Sequence, residues 1–495
     1  FCDCKESATV GDVKFMLSAP QEYILTSTQE INLFLAGIGS GKTHLGGLIS
    51  AFYVQNFPEA SGFIGANTYN QLNTSTMLRI REVWKHQFGW QEGRDYVVGK
   101  KPPEGFRTER HNFDRYDGIC SFRGGAIVFL GSLDNAKAHD GKEFAWAILD
   151  ETKDTRETDV KEVILGRLRQ TAFGFDENYK LTATAEGGFN PMYVLTSPAK
   201  VQWLNEWFGL DDDRAEIEGS IYSKDRFFAK ERKGKCIAIS STFHNEANLP
   251  PGYIQRILDN NADERGKALI YGNPFTKTGG EFYSSFSAAR HVGRVEFIPD
   301  LPVHVTFDQN VVPYITAGLW QVDTSGEHPT LRKFAEFCLP NPNNTTERLC
   351  QAIVARYGDK MRSLFYYGDA SGHHRDTRGN GTDYEIAART LRRWLNNGSD
   401  RTDRRNPPVL QRRDFINNVL EGKTRWRVVI DESCKNTVVD LTYLKQDPNG
   451  LKWKEKGKDD VSGQTFEKYG HTSDGDDYFF CKVAENDFER FCSQT

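Results

Sequence analysis

Apolar and polar positions follow two different regimes along the chain. Up to about residue 200, short apolar runs at 32–36, 62–66, 126–130, 145–149 and 192–196 are separated by longer stretches with helical spacing. Near-continuous apolar strands divided by helices predict a parallel sheet covered on both faces, an α/β domain. A polar, charge-dense stretch over 211–235 follows. Then comes Asn248-Leu249-Pro250-Pro251-Gly252-Tyr253, a rigid turn predicted to lead into a helix over 254–269.

From Val303 the regime changes. Three strand-like runs, 303–307, 315–322 and 330–337, come in succession. A helix over 346–357, a strand over 364–367, a helix over 384–395, a strand over 426–430 and a last helix from near Asp474 are predicted to follow. A three-strand antiparallel meander extended by helix-linked strands is the order of an RNase H-like domain. The boundary between the two regimes is expected between Gly272 and Glu296.

Composition narrows the class without changing this picture. The 495 residues are 38% hydrophobic and 26% charged, with a mean hydropathy of −0.60, as in a soluble globular protein. A net charge of −5 excludes a uniformly basic nucleic-acid coat but leaves room for a local basic groove. No run approaches the ~20 apolar residues of a membrane-spanning helix. The start, Phe1-Cys2-Asp3-Cys4-Lys5, does not have the form of a signal peptide and lacks Met, so a fragment or missing first residues are expected. Nine scattered cysteines without a CxxC pair predict reduced thiols rather than a zinc site or a disulfide framework.

The sharpest local motif is Leu35-Ala36-Gly37-Ile38-Gly39-Ser40-Gly41-Lys42-Thr43, an apolar strand entering a glycine-rich loop from which a helix leaves. The spacing is that of a P-loop with Ala36 at the first glycine position. Gly37, Gly39, Ser40 and Gly41 let backbone N–H groups curl around phosphate oxygens. Lys42 is the point charge for the β and γ phosphates, and the Thr43 hydroxyl suits Mg²⁺. The run 145–149 ends at Asp150-Glu151, where Asp150 is expected to hold Mg²⁺ through water and Glu151 to polarise the attacking water. Leu195-Thr196-Ser197-Pro198 ends another strand with hydroxyls suited to sensing the γ phosphate.

A second acidic set lies in the later half. Two strands end at Asp308 and Asp369, and His471-Thr472-Ser473-Asp474-Gly475-Asp476-Asp477-Tyr478 opens the last helix. In an RNase H-like layout the first and fourth strands are neighbours and the last helix crosses them, so Asp308, Asp369 and Asp474 are expected to converge. Asp477, one helical turn on, is a possible second ligand. Hard oxygen donors suit Mg²⁺ or Mn²⁺, and two such ions roughly 4 Å apart can activate water for phosphodiester hydrolysis. Residues 389–427 carry eleven Lys/Arg against four Asp/Glu, with Trp394 and Trp426 interleaved, a pattern suited to a DNA backbone.

Together these motifs resemble the large terminase subunit of tailed bacteriophages. The likeness also takes in the 245–253 segment, Gly272-Asn273-Pro274, Gly368-Asp369-Ala370-Ser371-Gly372 and His471-x-x-Asp474-x-x-x-Tyr478. It implies a P-loop (RecA/ASCE-like) ATPase domain over 1–200, a lid or linker over 201–275 and an RNase H-like nuclease domain over 276–495. It further implies ATP and Mg²⁺ as cofactors, with Mn²⁺ possible in the nuclease site. The implied partners are double-stranded DNA, a portal protein and a small terminase subunit, within a ring (usually a pentamer) on the procapsid in the host cytoplasm. One departure stands out: many members carry an arginine in the P-loop where this chain has Ile38. Arg79, Arg81, Arg110, Arg123 and Arg156 are the replacements available within the chain or from a neighbouring subunit. A helicase-type translocase with an attached nuclease is the main rival and requires a second RecA-like domain. An ATP-switched scaffold with a degenerate C-terminal fold is the other.

Overall fold

The computed structural model describes residues 7–10, 13–111, 113–170, 172–176, 180–184, 188–198, 201–261, 263–275, 280–374, 381–458 and 464–494. The chain divides into two compact units, Phe1–Thr278 and Gly279–Thr495. Among the described residues no helix is long and apolar enough to cross a membrane.

The first unit is built on nine strands: β1 (Ile31–Ala36), β2 (Gly62–Ala66), β3 (Tyr96–Val98), β4 (Ile119–Phe122), β5 (Ile127–Ser132), β6 (Trp146–Asp150), β7 (Met192–Thr196), β8 (Phe228–Arg232) and β9 (Lys235–Ser240). Their order in the sheet is β8-β9-β1-β7-β6-β2-β5-β4-β3. The pairings from β9 through β5 are all parallel, and antiparallel strands close both edges. The five apolar runs of the sequence form the centre, because only a strand covered on both faces tolerates such continuous apolarity. Helix α1 (Ala19–Leu25) precedes β1, α2 (Lys42–Asn56) leaves its end, and α3 (Met77–Phe88) packs against α2.

Residues 201–275, expected as a lid or linker, lie inside this unit and supply β8 and β9 to its sheet. The apolar run Cys236-Ile237-Ala238-Ile239 is buried beside β1, and its charged neighbours hide it from a compositional reading. The single helix predicted over 254–269 is instead two, α4 (Tyr253–Asp259) and α5 (Asp263–Tyr271). Asn260 and Asn261 donate their side-chain amides to the carbonyls of Arg256 and Ile257, and this local bonding ends the first helix.

The second unit carries β10 (Val292–Gly293), β11 (Val303–Asp308), β12 (Tyr314–Asp323), β13 (Thr330–Pro340), β14 (Leu364–Gly368), β15 (Leu395–Asp400) and β16 (Arg427–Asp431). The order is β10-β16-β13-β12-β11-β14-β15. Strands β11 to β13 form the expected antiparallel meander, and β14 joins β11 in parallel. The fifth strand of the RNase H-like order is β15, not the predicted 426–430 run, which pairs with β13 on the far side as β16. Leu395-Asn396-Asn397-Gly398-Ser399-Asp400 is a mostly exposed edge without apolar alternation, so periodicity gives it no strand signal. Helices α6 (Thr346–Tyr357) and α7 (Asp383–Thr390) cover one face. The other is covered by α8 (Val409–Glu421), α9 (Lys435–Tyr443) and α10 (His471–Val483), with α11 (Glu485–Gln494) behind them.

Helix α10 lies close on the sheet because Gly475 has no side chain: a Cβ there would meet the Phe307 carbonyl oxygen at 3.0 Å. One turn of the same helix is held by buried charge. Asp476 accepts from Thr306 Oγ1 at 2.8 Å, Trp320 Nε1 at 2.8 Å and Lys333 Nζ at 2.6 Å, one donor from each of β11, β12 and β13. Lys333 also donates to Thr437 Oγ1 on α9 at 2.6 Å. Removing one member of such a pair leaves the other charge uncompensated. Asp476→Ala is expected to cost about 3–5 kcal/mol, and the double change Lys333→Met, Asp476→Leu to recover most of it. Calorimetry should show this in the unfolding transition of the second unit, with the first unit's transition unmoved.

Candidate functional site

In the first unit the loop between β1 and α2 opens into a cleft of about 860 Å³ lined by Gln21, Ile38, Lys42, Thr43, Glu151, Ser197 and Asn245, among others. Gly39 and Gly41 take φ of +74° and +80°, a region open to glycine at no steric cost. Gly37 is required for closeness: a Cβ there would sit 2.4 Å from the Ile270 carbonyl oxygen. Lys42 is buried, and its ammonium donates to the carbonyls of Ala36 and Gly37, each at 3.0 Å. Burial pushes its pKa down, opposed by the nearby carboxylates of Glu151 and Asp150. Ser40, also named from the sequence, is buried within the loop.

Thr43 Oγ1 donates to Asp150 Oδ2 at 3.1 Å, and Thr76 Oγ1 to the same oxygen at 2.7 Å. Strand β7 lies between β1 and β6, so its end falls beside Asp150-Glu151. There Ser197 Oγ donates to Glu151 Oε1 at 2.7 Å. Glu151 itself stands at φ +53°, an uncommon conformation for a residue with a side chain, and Lys153 Nζ lies 3.8 Å from its Oε2. Thr43, Asp150, Glu151 and the Ser197 hydroxyl thus meet at one place, whereas the Thr196 hydroxyl donates to the Ser197 carbonyl at 3.3 Å.

Two supports escaped the sequence reading. Gln21 on α1 donates to the carbonyls of Ser40 and Gly41 at 3.4 and 3.2 Å. From the 201–275 segment, Thr242 Oγ1 donates to the Ile38 carbonyl at 2.8 Å and Asn245 Nδ2 to that of Gly39 at 2.7 Å. Neither leaves a local signal, because each is distant in sequence from the loop it braces. Of the five arginines considered, Arg79 lines the cleft, paired with Glu82 at 2.7 Å. Arg81 pairs with Glu92, Arg110 donates to Ser61 and the Pro58 carbonyl, Arg123 lies near Asp95, and Arg156 holds Asp159.

In the second unit Asp308, Asp369 and Asp474 line one cleft of about 380 Å³, at the ends of β11 and β14 and in the first turn of α10. Each carboxylate is held differently. Asp308 accepts from the Asn310 backbone N–H at 3.2 Å and faces His471 Nδ1 at 3.4 Å. Burial raises its pKa against the pull of His471, and the charge of Asp474 adds to the rise. His471 Nε2 lies 2.6 Å from the Glu467 carbonyl, so both ring nitrogens face acceptors. Burial would lower the His471 pKa, but Asp308 and that carbonyl together raise it, favouring the imidazolium. Asp369 accepts from the Ser371 N–H at 2.7 Å, from Asn406 Nδ2 at 2.7 Å and from the Tyr478 hydroxyl. Burial alone would raise its pKa; these donors overcome it and hold the group below the usual carboxylate range. Asp474 meets Lys452 Nζ at 2.5 Å.

Asp477, expected as a second ligand, does not line this cleft. It is 2% exposed, accepts from the Tyr283 hydroxyl at 2.7 Å and lies 2.8 Å from Lys452 Nζ. One turn of helix brings 474 and 477 to neighbouring azimuths, but the second falls where α10 meets protein. Trp394 and Trp426, expected beside DNA, are core residues at 7% and 5% exposure. Their indole N–H groups donate to the Gly358 carbonyl and to Asp487. Among the described residues no three His, Cys, Asp or Glu groups already close around one point to hold an ion. The three aspartates share a cleft rather than a preformed cage, and their hard oxygen donors suit Mg²⁺ or Mn²⁺.

A family model described as the N-terminal part of the T4-like-virus type of terminase large subunit matches residues 33–288. The chain belongs to the large terminase family. Among solved structures it is similar to the large terminase of the thermophilic bacteriophage D6E in complex with ADP. Identity there is 16% over 94% of this chain and 99% of that one, with a TM-score of 0.36. For the large terminase of bacteriophage HK97 the values are 12%, 95%, 95% and 0.40. For the nuclease domain of the bacteriophage SPP1 large terminase with bound Mn they are 14%, 40%, 96% and 0.25. No curated protein matches the chain.

The P-loop cleft of this large terminase carries a titration that can be followed without turnover. Burial holds the Asp150 carboxyl up at about 6, against the hydroxyl of Thr76, the charge of Lys42 and the hydroxyl of Thr43. The unfolded chain loses this proton near 3.8, so stability falls as pH rises from there to about 6, and the penalty is complete above that. Asp150→Asn is therefore expected to raise the melting of the nucleotide-free first unit by up to about 3 kcal/mol near neutral pH. At about pH 4 it should change little. Thermal melts at the two pH values check this; an equal shift at both would count against it.

Proposed function

We propose that the chain is the motor and nuclease subunit of a viral DNA-packaging machine. ATP hydrolysis in the first unit drives double-stranded DNA into a procapsid, and a metal-dependent endonuclease in the second unit cuts the concatemer. The observation that carries this reading is two separate clefts for phosphate chemistry on one chain: the P-loop with Asp150-Glu151, and the cleft lined by Asp308, Asp369 and Asp474. The mixed 3-2-1-4-5 order around the β11–β13 meander is not a second RecA-like domain, which speaks against the helicase reading.

In the first cleft Lys42 exchanges its two carbonyl partners for the β and γ phosphates of ATP, which occupy the turn of backbone N–H groups after Gly37. Thr43 and Asp150 would hold Mg²⁺, which when bound neutralises phosphate charge. Glu151, fixed by Ser197, orients and polarises the attacking water. Because Ser197 directly follows β7, any change at Glu151 on hydrolysis is passed to the segment beyond it. Thr242 and Asn245 make the 201–275 region sense the loop directly, as a lid does. Arg79 is the arginine that the cleft offers in place of one at Ile38.

In the second cleft Asp308, Asp369 and Asp474 would hold Mg²⁺ or Mn²⁺, which when bound supplies Lewis acidity and an activated water. His471 keeps Asp308 in place; Tyr478 and Asn406 do the same for Asp369. The same stretch that brings Asn406 to Asp369 exposes Arg392, Arg393, Arg401, Arg404 and Arg405, which suit contact with the DNA backbone. A portal protein, a small terminase subunit, a ring of copies (a pentamer in many members) and the host cytoplasm follow from the family reading.

Lys42→Ala is expected to abolish ATP turnover while leaving Mn²⁺-dependent cleavage of plasmid DNA, and Asp308→Ala to do the reverse. Phosphate release and gel assays on the same preparations decide it; Asp308→Ala cutting as well as wild type would remove the metal-site assignment. Ser197→Ala should lower kcat for ATP roughly 10- to 100-fold with KM little changed, since it loosens Glu151 rather than the phosphate loop. Steady-state kinetics separate the two parameters.

A further inference from the structure

Helix α10, whose first turn carries His471 and Asp474, begins on a residue that cannot cap it. Gly470 stands at the N-cap position with φ +111°, a backbone conformation that favours glycine, and it has no side-chain oxygen to offer the first turn. The missing acceptor comes from another helix. Asp440 on α9 is buried, and its Oδ2 accepts from the backbone N–H groups of Thr472 at 2.9 Å and Ser473 at 3.2 Å. Those are the two positions that an N-cap side chain would serve. The same oxygen accepts from Thr472 Oγ1 at 2.7 Å, and Oδ1 accepts from the Gly470 N–H at 2.9 Å. Helix α9 is held in the same manner. Glu336 on β13 accepts from the N–H groups of Asn436 and Thr437 at 2.8 and 2.9 Å, and from their side chains at 3.0 and 2.7 Å. Three carboxylates thus close a circuit. Glu336 of β13 holds the start of α9, Asp440 of α9 holds the start of α10, and Asp476 of α10 returns to Lys333 of β13.

We infer that Asp440 is a positioning residue for the nuclease cleft: it supplies the cap that α10 lacks, and so sets where Asp474 and His471 stand against Asp308. This rests on the nuclease reading above. Gly470 passes the constraint on, since its carbonyl accepts the Asp474 N–H at 2.8 Å. Asp476 fixes the rotation of α10, and Asp440 fixes where its first turn begins. Without Asp440 the N–H groups of Thr472 and Ser473 are donors without an acceptor in residues that are buried, and the turn must shift to satisfy them. The later turns stay held by Asp476 and Lys333, so the displacement falls on the one turn that lines the cleft. Asp474 then keeps its chemistry and loses its aim.

The test is the half-saturation concentration of Mn²⁺ binding, read by electron paramagnetic resonance on the full chain without nucleotide. An Asp150→Asn background keeps the P-loop from contributing. Adding Asp440→Ala should raise the half-saturation concentration roughly 10- to 100-fold. Adding Asp440→Asn should raise it by a smaller factor, because whichever way the amide turns its NH₂ meets a backbone donor. Ile353→Ala, a core truncation in α6 on the opposite face of the sheet, should lower the melting temperature and leave Mn²⁺ binding unchanged. Unaltered Mn²⁺ binding in both Asp440 variants, or an equal rise with Ile353→Ala, would overturn the inference while leaving the nuclease reading intact. No Mn²⁺ bound by the Asp150→Asn chain itself would overturn the metal reading, and this inference with it. Asp440→Asn decides even if Asp440→Ala does not fold.

Discussion

The second unit is organised around a charge that has no access to water. The side chains of Lys333 and Asp476 are 0% and 5% exposed, and they meet at 2.6 Å beneath α10. Taking either ion out of water alone costs several kcal/mol, so Asp476 has to stand where Lys333, Thr306 and Trp320 all reach it. That requirement fixes how α10 is rotated about its axis. At roughly 100° per residue, Asp474 then points about 200° away from Asp476, out of the core and toward the end of β11. Gly475 between them lets the helix lie close enough for this to matter. The cleft aspartate is thus placed by a neighbour that does not itself line the cleft.

The first unit solves a related problem with hydroxyls. Asp150 is 2% exposed, and its oxygens are satisfied by Thr43 and Thr76 rather than by a cation. Its pKa is accordingly raised, whereas Asp369, held by an N–H, an amide and a phenol, is lowered. The difference follows from donor count against burial. Strand order adds the second control. With β7 inserted between β1 and β6, Ser197 reaches Glu151 directly, so the acid that follows β6 and the strand that leads to the 201–275 segment share one hydrogen bond.

Residues whose role is local were legible in the sequence, and those whose role depends on distant packing were not. The loop from Gly37 to Thr43 announces itself because glycine spacing, strand and helix are contiguous. Asp308 and Asp369 follow from strand order, since a carboxylate at a strand's end is placed by the sheet. Asp477 falls outside the cleft because helical periodicity gives azimuth but not what lies opposite, here Tyr283 and Lys452. Trp394 and Trp426 sit among arginines in sequence, yet their rings turn inward to the core. Strand β15 was missed because an exposed edge needs no apolar alternation. Gln21, Thr242 and Lys452 acquire meaning only when the fold brings them to their partners, and the partners of Asn245 and His471, both within segments that carry the resemblance, are likewise set by the fold.

One lysine is engaged with protein in the P-loop cleft and another beside the cleft of the second unit, and the two engagements differ in kind. Lys42 donates to the neutral carbonyls of Ala36 and Gly37, bonds worth about 1 kcal/mol each in net terms. A fully charged acceptor would outcompete two neutral carbonyls, so Lys42 is held rather than trapped. Lys452 is bound to two carboxylates, one of them buried with no access to water that could replace the ammonium. Charge-assisted bonds of that sort are about twice as strong as neutral ones, and breaking them here leaves an uncompensated ion. The same side chain is therefore releasable in the P-loop cleft and fixed beside the cleft of the second unit. The first lysine can be drawn away by a charged acceptor; the second already holds two.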